Sequence, residues 1–506
     1  MDFFKQNAEL TIPDWSPLVA ENSFINKPAD TTKIPLFDEI KDKLPQPIWQ
    51  GYDDYIECYW AAWRLAFNNL RPADAKAGFV SNYIDTAFNG CLFMWDSSFI
   101  LMFGKYADRI FKFQSTLDNL YSHQHRDGFI CREIDEATGA DHFARHDPSS
   151  TGPEIMAWCE WEYYLNFGDK DRLNKVFSPL MAYHRWMAEH RTWPDGTYFS
   201  TGWGCGMDNI PRHMQGYSPA FSHGHMIWVD ACMQELMTCN LLIEMAKELD
   251  RNEFIDELVA ERDNLEGVIN QKLWDEQSGF YYDLWNNGKH NMVRHIGAYW
   301  ALLAECASNE RAQRLIAYLE DEKEFNTPHP IPALSKSDPN YTADGGYWRG
   351  GVWAPTNYMV LKGLDKYGKY DLAHRIAAKH LNSVVEVFKK SGTLFENYAP
   401  EGAEKGNPAR ADFVGWTGLV PISVLFEYVF GIKPDAQNNR MLWRVSLTQR
   451  HGVEKYPFGT DGELTLICEA RDNADQKPQI TFNSNIPVEL EVVWGSEGNK
   501  QSMILK

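Results

Sequence analysis

The chain has no run of 18 apolar residues, which excludes a transmembrane helix of ordinary length. Its first residues, Met1-Asp2-Phe3-Phe4-Lys5-Gln6-Asn7, have neither the basic start nor the apolar centre of a secretory leader. The expected location is the cytoplasm, or the periplasm if a leader has been removed. Positive charge is scarce: 49 Lys and Arg face 70 Asp and Glu, a net charge of −21. Nucleic acid and anionic membrane surfaces, which call for a basic footprint, are therefore not expected partners. The nine cysteines form no CxxC pair and their number is odd, which argues against a disulfide framework or a structural zinc site. Cys159 and Cys232 fall inside helical patterns and read as small buried hydrophobes. No histidine cluster has metal-ligand spacing, and neither a metal nor a cofactor is expected.

Aromatic residues, by contrast, are plentiful. Nineteen tryptophans exceed what a core alone needs, and flat rings are what the C–H faces of a sugar stack on. Helical periodicity runs from about residue 50 to 432. Ile56, Tyr59, Trp60, Trp63 and Phe67 follow the 3–4 spacing of one apolar helix face, as do Leu173, Val176, Phe177, Leu180, Met181 and Met187. Helices are expected near 53–70, 97–119, 153–167, 171–190, 224–249, 253–272, 294–307, 309–321, 355–367, 371–389 and 414–430. Short polar turns centred on Ala107, Asp169, Asp250, Asn309 and Lys369 join them in pairs, at intervals of 62, 81, 59 and 60 residues. Such regularity marks a repeat of helical hairpins. Short turns alternate with long connections, so a closed ring would gather all the long loops on one rim.

The fold expected is an all-α main domain, an (α/α)6 barrel of six hairpins, over 46–435. Alternation in Leu442–Leu447, Leu464–Cys468, Ile480–Phe482 and Val488–Trp494 predicts a small β-sandwich-like domain over 436–506. Residues 1–45, rich in proline and polar residues, form an N-terminal arm.

The long loops carry the chemistry. Asp208 sits in Gly202-Trp203-Gly204-Cys205-Gly206-Met207-Asp208-Asn209, followed by Pro211-Arg212. Glu396 sits in Thr393-Leu394-Phe395-Glu396-Asn397-Tyr398. A carboxylic acid that protonates a leaving oxygen and a carboxylate that activates water are the minimum equipment for cleaving a glycosidic bond. Asp208 otherwise makes an Asx turn, and Glu396 is otherwise a solvated loop carboxylate. Trp95-Asp96 is either an aromatic platform with a hydroxyl-binding carboxylate or a helix cap. Gln124 and Asp127-Gly128 are either a sugar contact or a turn. Tyr347-Trp348-Arg349-Gly350-Gly351-Val352-Trp353 makes a poor core and a good pocket wall. A hairpin around Gly279 reads as structural.

Taken together, these segments resemble glycoside hydrolase family 63, with family 37 trehalases more distant. The resemblance covers about 50–432. It implies that Gly206-Met207-Asp208-Asn209 holds the general acid and Phe395-Glu396-Asn397-Tyr398 the general base. It further implies that Trp95, Asp96, Gln124, Trp203, Tyr347, Trp348, Arg349, Trp353 and Tyr398 bind the sugar. The chain reads Ser150-Thr151-Gly152-Pro153 where that family often has Gln-Pro-Pro.

The activity expected is an inverting exo-α-glycosidase on small α-glucosides, α-mannosides or short oligosaccharides, with carboxyls roughly 6.5–9.5 Å apart. Two other readings keep the ring: an inactive carbohydrate-binding toroid, or a lyase or epimerase using His223, His225 and Tyr398.

Overall fold

The computed structural model describes residues 21–85, 89–212, 216–496 and 498–505. Its helices, in chain order, are α1 (Asp53–Asn68), α2 (Met94–Gly104), α3 (Thr116–Ser122), α4 (Met156–Phe167), α5 (Lys170–His190) and α6 (Val229–Glu248). They continue with α7 (Ile255–Val268), α8 (Trp300–Leu303), α9 (Asn309–Glu320), α10 (Ala354–Lys366) and α11 (Tyr370–Ser391). The last, α12, comprises Trp416–Leu419 and the π-wound Val420–Val429.

Each expected turn lies between two helical segments, and local chemistry explains the breaks. Gly168 ends α4 at φ 65°, a left-handed conformation that glycine adopts without strain. The next residue, Asp169, caps α5 by accepting from the Arg172 amide. Ser308 caps α9 in the same way through the Arg311 amide.

Burial separates two helix types. Every residue of α2 is buried, as are all of Val420–Val429, whereas α1, α9 and α11 each bury one face. The even-numbered helices contact one another in order: α2 with α4, α4 with α6, α6 with α8, α8 with α10, α10 with α12, and α12 back with α2. The odd-numbered α1, α3, α5, α7 and α11 lie against this cycle from outside. Beyond the C-terminal ends of the inner helices, four charges meet out of water. Lys105 Nζ is 3.0 Å from Glu427, and Lys362 Nζ lies 2.7 Å from Glu162 and 2.9 Å from Glu427. Tyr106 and Tyr358 hydroxyls also donate to Glu427. Buried charges are tolerated only when paired this completely, and these come from α4, α10, α12 and the turn after α2.

The C-terminal residues form two four-stranded sheets. One orders Gln46–Trp49, His451–Phe458, Gly462–Cys468 and Ile480–Ser484, all antiparallel. The other orders Ile432–Asp435, Arg440–Val445, Val488–Trp494 and Asn499–Leu505, with the central pair parallel. Gln46–Trp49, read from sequence as the start of the helical part, instead pairs with His451–Glu454. It is an edge strand, where Pro47 costs no ladder hydrogen bond. The Gly279 hairpin forms as expected, with Trp274–Asp275 pairing Phe280–Tyr281.

Candidate active site

A cavity of about 220 Å³ lies at the N-terminal ends of the inner helices. Its walls come from the segments that lead into those helices. Phe93, Trp95 and Asp96 begin α2; Gly152 and Pro153 precede α4. Trp203, Gly206 and Asp208 lie in the loop before α6, Tyr347 and Trp348 precede α10, and Trp416 opens α12. The long loops thus converge because the inner helices run the same way.

Three contacts fix the two candidate carboxylates. Asn209 bridges the Asp208 loop to the tryptophan loop: its Nδ2 donates to Gly346 O (3.0 Å), and its Oδ1 accepts from the Trp348 amide (2.8 Å). Gly206, at φ 74°, lets the loop pass the Trp95 ring, which a Cβ there would meet at 3.2 Å. Glu396 accepts at both oxygens, from the Tyr347 hydroxyl (3.1 Å) and the Arg410 amide (3.2 Å). Its own carbonyl accepts from Trp416 Nε1 (2.8 Å). Tyr347 itself has φ 65°, a strained position for a residue with a side chain, of the kind found at functional sites.

The electrostatics follow from burial. Burial raises the Asp208 carboxyl to about 6, reinforced by Glu396 and Glu133 and opposed by Arg132. Burial also raises Glu396, while its two hydrogen-bond donors pull the other way. Asp96 stands well above the ordinary carboxylate range, through burial first and then Glu133, Asp85 and Glu396. Its Oδ1 is buried without a hydrogen-bond partner. Burial likewise raises the Tyr347 phenol, with Asp208, Glu396 and Asp96 adding to it. One phenol therefore faces all three carboxyls, two of them from loops 188 residues apart in sequence.

If one carboxyl must be protonated and another ionised, kcat/KM should be bell-shaped in pH. Activity should fall above about pH 6, as Asp208 loses its proton, and fall again at lower pH as Glu396 gains one. A pH–rate profile on free enzyme should peak in mildly acidic solution; an optimum above pH 8 would contradict this assignment.

The cavity collects Trp95, Asp96, Trp203, Asp208, Tyr347 and Trp348 from the residues singled out in the sequence. Trp353 lies one layer back, stacked on Trp348 with centroids 4.0 Å apart and an interplanar angle of 1°. Tyr398 is buried behind the Glu396 loop, where its hydroxyl accepts from the Phe395 amide. Arg349 points to the Asn340 carbonyl rather than into the cavity. Gln124 is tied to Asn22 and to the Gly128 and Pro179 carbonyls, away from the site. Asp127 is likewise structural, held by Arg145 and Trp186. His225 lines a different cavity, of about 840 Å³, with Trp193 and Trp285.

Sequence reasoning missed Arg132, Glu133, His142, Phe143 and Trp416. Arg132 reaches the cavity with its charge already used: Nη2 is 2.6 Å from Glu133, Nε donates to Ser149 O, and the guanidinium covers the Phe143 ring. The only signal for these residues was their place in a long, polar connection.

A carboxyl poised near neutrality, a second carboxylate held by a phenol and an amide, and tryptophan walls at the mouth of a helical ring define a glycoside hydrolase. The model of the mannosylglycerate hydrolase MGH1-like glycoside hydrolase domain matches residues 92–417, and the chain belongs to that family. An uncharacterized protein of Borreliella burgdorferi is 26% identical over 402 residues, covering 76% of this chain and 80% of that one. A mannosylglycerate hydrolase of Thermus thermophilus is 23% identical over 57% of this chain and 85% of its own length. The probable mannosyl-oligosaccharide glucosidase of Schizosaccharomyces pombe is 25% identical, but the match covers only 33% of it.

Among solved structures, a family 63 mannosylglycerate hydrolase of Thermus thermophilus in complex with glucose aligns at a TM-score of 0.56. It shows 21% identity and covers 72% of this chain and 99% of that one. Neutral trehalase from Saccharomyces cerevisiae aligns at 0.52, with 16% identity over 68% and 73%. These likenesses bear on the fold. Among the described residues, no helix is long and apolar enough to cross a membrane.

Proposed function

We propose that this chain is an inverting, exo-acting α-glycosidase built on an (α/α)6 barrel over 46–435, flanked by the 1–45 arm and the 436–506 β domain. Asp208 is the general acid and Glu396 the general base. The observation that carries this reading is the Tyr347 phenol, hydrogen-bonded to Glu396 and electrostatically coupled to Asp208. In the mechanism, the protonated Asp208 gives its proton to the leaving oxygen. Glu396, held by Tyr347 and the Arg410 amide, takes a proton from water attacking the opposite face. Trp95, Trp203 and Trp348 supply the apolar sugar surface and keep the acid poorly solvated. The closed cycle of six inner helices supports the barrel, and the gathering of the long loops at one end supports the pocket.

The cavity volume is about that of seven liquid waters. That is the scale of a single sugar ring, which suits exo action on small substrates. Its charge adds a preference. Asp96, Glu133 and Asp208 line it, against an Arg132 already paired to Glu133. An aglycone carrying a carboxylate is repelled by this set, so the substrates are neutral α-glucosides or α-mannosides.

Proton NMR of the products from neutral α-disaccharides and glycosylglycerates tests both points. β-Hexose should appear first, and the glycerates should react at least about 10-fold more slowly, a difference of about 1.4 kcal/mol. Initial release of the α-anomer would refute inversion; preference for glycerates would refute only the neutral aglycone. The inactive-toroid and lyase readings gain no support, since both carboxyls are in place and His225 and Tyr398 lie apart from them.

A further inference from the structure

A second cluster of ionisable groups lies behind the cavity wall and takes no part in the hydrolysis. His184 on α5 is 1% exposed. Its Nδ1 is 3.2 Å from Glu154 Oε2 and 3.3 Å from Glu235 Oε2. Its Nε2 is 3.1 Å from Glu261 Oε2. Glu154 and Glu235 are 0% and 2% exposed. Glu154 directly follows Gly152 and Pro153 of the cavity wall, Glu235 is on α6, and Glu261 on α7. Three carboxylates around one imidazole, two of them out of water, are unbalanced as they stand. Glu154 Oε1, Glu235 Oε2 and the nearby Tyr183 hydroxyl are moreover buried with no hydrogen-bond partner.

We propose that His184 Nδ1, Glu154 and Glu235 form a structural site for a divalent first-row transition ion of the Zn²⁺ type. The spacing carries the argument. An ion bound tetrahedrally at about 2.0–2.1 Å sets its ligand atoms about 3.3–3.4 Å apart. The two imidazole–carboxylate separations are 3.2 and 3.3 Å, and the three donor atoms lie within 4.8 Å of one another.

The surroundings are those of a metal-binding imidazole. Glu261 accepts from Nε2, which fixes the tautomer that leaves the Nδ1 lone pair facing the two glutamates. Glu261 is itself oriented by the Tyr198 hydroxyl at 2.5 Å. A divalent ion with two carboxylates and a neutral imidazole leaves the inner pocket neutral. Binding displaces the protons these side chains otherwise share. An imidazole with few oxygens suits zinc or cobalt and not calcium, which takes six to eight oxygens. The ion would pin α4, α5 and α6 together under Gly152-Pro153, and through Tyr198 it would brace the strand that leads to the Asp208 loop.

The test uses the full chain produced in medium supplemented with Zn²⁺ or Co²⁺. A Cys91→Ser background removes the partly exposed Cys91, Glu133 and His142 group as a competing site. One equivalent of ion by elemental analysis is expected after gel filtration, with the visible absorption of four-coordinate Co²⁺ in the cobalt form. Glu235→Gln and Glu154→Gln, each of unchanged size, should keep the helical circular dichroism and lose the ion and its spectrum. A parent protein with no stoichiometric ion overturns the proposal, as does equal uptake by parent and both variants.

Discussion

Asp208→Asn is expected to lower kcat/KM on α-glycosides with ordinary alcohol leaving groups by about 10²- to 10⁴-fold, the usual worth of a positioned general acid. The carboxamide keeps the size of the side chain, and the Asn209 bridge to Gly346 and Trp348 holds the loop, so the fold should be unchanged. The deficit should largely vanish on a glycosyl fluoride, whose leaving group needs no proton. Glu396→Gln should behave differently. Water activation is required whatever the leaving group, so this variant should be slow on both substrates. The alkaline limb of the pH profile should disappear in Asp208→Asn, while the limb set by Glu396 remains. Equal losses on glycoside and fluoride for both variants would exchange or cancel the assigned roles. A bell-shaped profile alone cannot decide this, because two coupled carboxyls titrate as a pair.

Arg212→Met should give the largest loss of stability. Arg212 ends the segment that carries Asp208 and is buried between two carboxylates. Its Nη1 is 2.7 Å from Asp283, its Nη2 contacts Asp230, and its guanidinium covers Trp228 at 4.0 Å. The arginine and both carboxylate side chains are at most 2% exposed. Removing the cation leaves two uncompensated buried carboxylates, a change that costs about 3–5 kcal/mol.

The pH dependence has a definite sign. In the parent, burial alone would raise Asp283, but Arg212 outweighs it and holds the carboxyl below its ordinary value. That contribution is present above the unfolded carboxylate range and is lost as the pH falls. Without Arg212, burial dominates and the carboxyls rise. The variant's deficit should therefore be greatest near neutrality and shrink as the pH falls and they protonate. Denaturant titrations at pH 7 and pH 5 measure this, and adding Asp230→Asn and Asp283→Asn should recover stability at pH 7. A deficit that grows toward acid would contradict the account.

The helices and the turns between them were legible because both arise locally. The apolar spacing of Ile56, Tyr59, Trp63 and Phe67 and the Gly168-Asp169 stop-and-start need only neighbours within a few residues. Asp208 and Glu396 were visible because glycines and aromatics set them outside any helical pattern. Gln124 and Arg349 stood in similarly polar segments, yet their hydrogen bonds go to Gly128, Pro179 and Asn340. Polarity marks a residue as needing partners and says nothing of whether the partner is substrate or backbone. Gln46–Trp49 was read as part of the helical domain because a four-residue edge strand owes its existence to a partner some 400 residues away. The His184 cluster was invisible for the same reason. Its members lie 30 and 51 residues from the histidine, which is not ligand spacing along any one element.

By itself the sequence determined that helices alternate with long loops, that a few carboxylates stand among glycines and tryptophans, and that no basic surface competes for another function. The tertiary structure alone decided which of those residues share a cavity, that one phenol faces three carboxyls, and that Asp208 is raised to about 6. Helix and turn preferences are properties of short stretches of chain. A carboxyl's proton affinity is set by burial and by charges from loops that only the closed cycle of helices brings together.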